Sequence, residues 1–249
     1  MSGRRRRSFW WKVAPVLALA VIAAAAGVRH SMADWRAASR ESAGIAPDPA
    51  EHREAIIQVY GARAYSWRGI FAVHTWIAVK PTDAPEFKVY EVMGWRVRHG
   101  APAVRVSHRP ADGRWFDAVP ELLADVRGPG VDAMIDRVGT AAMAYPYMNE
   151  YKVWPGPNSN TFVAHVARAV PELRLDLPPT AIGKDYLPGG AIVAATPSGA
   201  GYQVSLAGLL GVMVGREEGV EINLLGLTFG IDPDGPALKL PLAGRIGGG

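Results

Sequence analysis

Ser159 stands in the string Trp154-Pro-Gly-Pro-Asn-Ser-Asn-Thr-Phe162, which delivers a hydroxyl and two carboxamides to the first turn of an apolar helix. A hydroxyl mounted there attacks an acyl carbon if a histidine takes its proton and a third group holds the histidine in place. His74, inside the strand-like run 70–79, is the candidate base. Glu91, inside the next such run, is the candidate orienting group. Asn158, Asn160 and Trp76 are the candidates for substrate or oxyanion contacts. Each residue also has a purely structural reading. Ser159 is then a helix N-cap worth about 1 kcal/mol, the asparagines tie down the elbow by local hydrogen bonds, His74 is a satisfied core residue, and Glu91 pairs with an arginine.

The elements that must position these groups follow from spacing. Asn158 or Ser159 can cap a helix whose apolar residues Phe162, Val163, Val166 and Val170 recur at helical intervals until Pro171 stops it. Upstream, runs 55–65, 70–79 and 87–97 are rich in β-branched and aromatic residues and read as strands, although 56–60 also fits an extension of a short helix opened by Asp48-Pro49-Ala50-Glu51. Shorter strands, 103–107 and 114–116, flank the Asp112-Gly113 turn. Residues 119–126 and 131–145 carry helical patterns. Beyond Pro178-Pro179, the runs 202–214, 220–230 and 237–242 predict a Gly-rich β-meander or hairpin extension. The expected class is α+β, a mostly antiparallel sheet with helices on one side.

At 249 residues and 49% hydrophobic, the chain can bury a core. Its basicity is local: residues 1–33 hold Arg4, Arg5, Arg6, Arg7, Lys12 and Arg29 and no acid. The remainder carries 21 Lys and Arg against 23 Asp and Glu, so no nucleic-acid-binding face is indicated. From Phe9 to Val28 the only charge is Lys12, over about 20 residues, near the length that crosses a bilayer as helix. The segment reads as a transmembrane anchor. Its basic start and Ser31-Met-Ala33 also fit a cleaved signal peptide, and Arg6-Arg7-Ser8-Phe9 a twin-arginine signal. In every case the basic flank stays in the cytoplasm and the body is exported, which predicts an inner-membrane protein with its folded part in the periplasm. The absence of cysteine excludes a disulfide framework, a thiol nucleophile and thiolate ligands. No ligand spacing for a metal is found, and no cofactor is expected.

The order of His74, Glu91 and the Asn158-Ser159-Asn160-Thr161-Phe162 helix start resembles that of circularly permuted papain-like hydrolases, the NlpC-type superfamily with its lecithin:retinol-acyltransferase-like relatives. Their motif is close to Asn-Cys-x-x-Phe, so the resemblance puts Ser159 where they carry the nucleophilic cysteine and His74 where they carry the base. It spans residues 70–170. With the Gly-Pro-Asn-Ser-Asn-Thr-Phe string and the Glu-Ile-Asn-Leu-Leu-Gly-Leu ending, the chain is also similar to an uncharacterised bacterial membrane-protein family, domain of unknown function 3750.

The expected organisation is a basic tail (1–8), the membrane segment (9–28), a spacer (29–50), a permuted papain-like core (51–175) and a Gly-rich β extension (176–249). Two functions fit it: a serine-variant hydrolase or acyltransferase acting on amide or acyl ester bonds of the cell envelope, and a non-catalytic binding or scaffold module that keeps the groove.

Overall fold

The computed structural model describes residues 35–232 and 236–247. It is α+β and sheet-rich. The first sheet is five-stranded, built from β1 (Ile56–Arg63), β2 (Val73–Lys80), β3 (Lys88–Val92), β4 (Val104–His108) and β5 (Glu121–Arg127) in the order β4-β3-β2-β1-β5, with antiparallel pairing throughout. Only α1 (Gly94–Arg98), α2 (Val131–Met143) and α3 (Ser159–Ala169) are α-helical among the described residues, besides short 3-10 turns. The anchor run 9–28 lies outside the described residues, and no described helix is long and apolar enough to cross a membrane.

Strand alternation sorts β1 to β3 onto two faces. Ile57, Val59, Ile77, Val79, Tyr90 and Val92 pack on one face against Val131, Ile135 and Val138 of α2 and Phe162, Val163 and Val166 of α3. Tyr60, Trp76, Ala78 and Val89 face the other way, where Trp115 and Ala118 of a loop cover them. The α3 helix is therefore central: even Ser159, Asn160 and Thr161 are buried.

Four local expectations are corrected. The run 87–97 is not one strand: β3 ends at Val92, and 94–97 belong to α1. Residues 121–127 form an edge strand rather than a helix. The apolar doublet Leu122-Leu123, which gave the run its helical spacing, spans an irregularity in the β1–β5 register, where Val59 pairs Ala124 and Tyr60 pairs Leu122. Asp48 opens a turn, with Ala50 N–H on its Oδ1 and the Glu51 and His52 amides on its carbonyl, and residues 56–60 belong wholly to β1. Residues 114–116 make only the isolated bridge Trp115↔Ala118. The described part of the expected spacer is docked: buried Asp112 accepts from Ser42 Oγ and from the amides of Ile45 and Ala46.

The extension is a seven-stranded antiparallel meander, β6 (Val193–Ala195), β7 (Gly201–Leu206), β8 (Leu210–Gly215), β9 (Gly219–Leu224), β10 (Leu227–Asp232), β11 (Ala237–Leu240) and β12 (Gly244–Ile246). The single runs expected over 202–214 and 220–230 are each a hairpin. Ala207-Gly208 and Leu225-Gly226 turn them, all four residues at positive φ. The polarity of this sheet is inverted. Gln203, Ser205, Glu221, Asn223, Thr228 and Lys239 point inward and are buried, whereas Val204, Val212, Ile222 and Phe229 form a row across the outer face.

Candidate functional site

The helix start is set by Asn158, whose Oδ1 accepts from the amides of Asn160 at 3.0 Å and Thr161 at 3.2 Å. Thr161 Oγ1 returns a bond from the Asn158 amide, closing a capping box. Asn158 Nδ2 donates to the carbonyls of Val153 and Ile182. Asn160 is equally committed, since its Nδ2 donates to Val73 O and Ile182 O and its Oδ1 accepts from Thr75 Oγ1 at 2.9 Å. Neither carboxamide nor the Asn160 amide is left for a ligand. The cap serves the second and third helical amides, so the amide still unpaired at this end is that of Ser159 itself.

These bonds fasten α3 to β2 on both sides of His74: Val73 O takes Asn160, and Thr75 Oγ1 donates to Ser159 O at 3.3 Å as well as to Asn160. The strand histidine and the helix start are thus neighbours. Alternation nevertheless turns His74 away from Thr75, onto the face of Trp76. There its ring stacks on Trp115, centroids 3.6 Å apart and 14° from parallel, and its Nε2 lies 3.6 Å from Glu91 Oε2. That separation is too long for a hydrogen bond, and Nε2 has no other partner.

Glu91 is wholly buried between His74, Arg109 at 3.2 Å and Arg105 at 3.9 Å. Burial alone would raise its pKa, but His74 and Arg109 more than offset that and hold it below the ordinary glutamate value. Burial depresses the pKa of His74, with the Glu91 carboxylate opposing. Both shifts favour a neutral imidazole beside a carboxylate. In the neutral ring, a proton on Nε2 would face the carboxylate and leave the lone pair on Nδ1.

His74 and Ser159 both open onto one cleft of about 720 Å³. Its wall is aromatic, with Trp67, Phe71, Trp95, Trp115, Tyr151 and Trp154, and Arg68 and Arg98 supply the charge. The extension closes one side through Leu225 and Leu227, where Trp154 Nε1 donates to Leu225 O at 2.9 Å. Trp76, expected at this site, is fully buried beneath it: its Nε1 donates to Ala111 O at 2.7 Å and Arg109 stacks on its ring.

Sequence reasoning missed Arg109, Trp115 and Tyr151. Arg109 and Trp115 reach the pair from a segment read only as the Asp112-Gly113 turn with short strands beside it, and nothing in the spacing tied that segment to His74. Among the described residues the other histidines lie elsewhere: His52 pairs with Glu54, His99 is exposed, His108 pairs with Glu86, and His165 contacts Ala141 O.

A family model described as protein of unknown function (DUF3750) matches residues 54–186, more than half of the chain. No curated protein and no solved structure matches it.

Proposed function

The chain belongs to the DUF3750 family, and from its cleft we propose that it is a membrane-anchored envelope protein of permuted papain-like core that transfers or hydrolyses an acyl group. The observation that carries the reading is the His74–Glu91 pair, buried under Trp115 and sharing a cleft with the hydroxyl of a capped helix start. The order histidine, acid, helix-start hydroxyl along the chain supports it too.

In the proposed step, His74 Nδ1 takes the Ser159 hydroxyl proton across the cleft they share, directly or through one water, as Oγ bonds to the acyl carbon. The Ser159 amide faces the oxyanion, and the same proton passes to the leaving nitrogen or oxygen as its bond to the acyl carbon breaks. Water or an acceptor nucleophile then releases the acyl group by the reverse path. Glu91 holds the ring and stabilises its cationic form, and Arg109 keeps Glu91 ionised.

A second reading, a binding module, rests on the strand alternation that turns His74 away from α3. A fluorophosphonate probe separates the two. The acyl-transfer reading expects covalent labelling of the wild type, abolished in Ser159→Ala and reduced at least about a hundredfold in His74→Gln. Because the His74 pKa is depressed, its basic form persists as pH falls, so the labelling rate is level at neutral pH and declines only below about 6.5. A wild type that resists the probe at every pH leaves the binding module as the account.

Topology is tested separately. Arg4 to Arg7 precede the apolar run and should hold the N-terminus in the cytoplasm, so a reporter fused after Gly249 is expected to work only if it functions outside the cytoplasm. Activity of a cytoplasm-only reporter at that position would overturn the placement.

A further inference from the structure

We infer that the outer face of the C-terminal meander is a homodimer interface, packed face to face against the same sheet of a second copy. The sheet docks onto its own domain through the polar side of its strands: Gln203 meets Arg168, Ser205 the Asp185 carbonyl, and Glu221 Lys184. Its apolar side is thereby turned outward. Val204, Val212, Ile222 and Phe229 stand 40 to 49% exposed along the middle row. The flanking rows hold only Tyr, Val, Ile and Leu along β7 to β10. No charged side chain of those four strands points outward.

Area decides what such a face needs. Strands of six residues rise about 20 Å, and the four six-residue strands with their flanks span about 25 to 30 Å, a footprint of roughly 500 to 600 Å². That reaches the largest apolar patches an unpartnered soluble protein shows. Covered by its own copy, the two footprints remove about 1,000 to 1,200 Å², which reaches the lower edge of specific interfaces.

Shape selects the occupant. Neighbouring strands rotate by about 20 to 25°, so a sheet this wide does not lie flat on a bilayer, whereas two sheets of identical twist pack at about 30° with side chains interdigitated. The two outermost strands, β6 and β12, have three residues each, too short to extend the sheet edge to edge, so the face rather than the rim is what a second copy meets. A two-fold axis near the central strand β9 brings Ile222 close to its mate.

The cysteine-free sequence makes the test clean. Full-length Ile222→Cys and Val212→Cys chains, expressed in membranes and treated there with a short bismaleimide, should each give a cross-linked dimer, while Asp136→Cys on the exposed side of α2 should not. Adding Ile222→Lys to the Val212→Cys chain should cut the cross-linked fraction at least tenfold while leaving the melting temperature of the monomer unchanged, because an exposed face accepts lysine. Absence of dimer at both 212 and 222 overturns the proposal. So does cross-linking equal to that of Asp136→Cys, or protection of both thiols by lipid or by the chain's own N-terminal segment without a dimer.

Discussion

Lys184→Met should be among the most damaging single substitutions in this protein, lowering stability by about 3 to 5 kcal/mol and the melting temperature by about 10 °C. Lys184 is 1% exposed and holds both Asp185 and Glu221, while Lys239 joins Glu221 to Asp176. Asn223 donates to the other oxygen of Asp185. The network ties the family domain, which supplies Lys184 and Asp185, to the extension, which supplies Glu221, Asn223 and Lys239. Methionine fills the volume but leaves three carboxylates to one lysine. Those carboxylates should then bind protons above their usual range, so the deficit grows as pH rises and shrinks toward pH 5. The wild type shows the same sign at one position: burial raises Asp176 to about 6, so its contribution is complete below the unfolded aspartate value and is lost as pH rises through about 6. Thermal melts of both proteins from pH 5 to 8 measure this. A Lys184→Met melting temperature within 2 °C of wild type throughout would show that the network is not closed as described.

What the sequence revealed and concealed follows one physical division. Wherever apolar residues are the buried ones, the pattern was legible. The β-branched runs of β1 to β3, the apolar spacing of α2 and the capped start of α3 were all readable from residue order, because alternation and helical period report burial directly. The reading failed where burial did not follow polarity. In the meander the alternation Gln203, Ser205 against Val204, Leu206 announced strands, yet nothing local could say that the polar side faces inward. That orientation depends on Lys184, Asp185 and Arg168, which lie 18 or more residues away in the chain. The hairpins inside 202–214 and 220–230 were concealed because Ala207 and Leu225 carry positive φ without being turn formers. Of the residues singled out by type and order, His74 and Glu91 come into contact and His74 and Ser159 line one cleft. Arg109 and Trp115 were not singled out, since a loop that crosses a sheet face leaves no periodic trace.

Asn158 tests how the site and the fold share one residue, because its substitutions should not follow the usual ranking of helix caps. At an exposed N-cap asparagine and aspartate are nearly equal, and alanine costs about 1 kcal/mol. Here all four hydrogen-bonding positions of the carboxamide are used, two accepting from α3 and two donating to Val153 O and Ile182 O. Asn158→Ala therefore removes the cap and strips Val153 O of its donor, for a loss of about 2 to 4 kcal/mol. Asn158→Asp keeps both accepting bonds and the favourable helix dipole, yet it turns a carboxylate toward two carbonyl oxygens in a site 4% exposed. It should be no more stable than alanine at pH 7 and should recover as pH falls, since a folded-state pKa raised by that repulsion returns stability on protonation. There is no room for a shift to relieve it: Gly183, at φ +100, packs so closely that a Cβ there would overlap Asn158 Nδ2. The same variant should lose ligand or probe capture at the cleft, because Ser159 takes its direction from this cap. Equal stability of Asn158→Asp and wild type at pH 7 would mean that the two donated bonds contribute nothing, and the elbow would then owe its shape to its prolines alone.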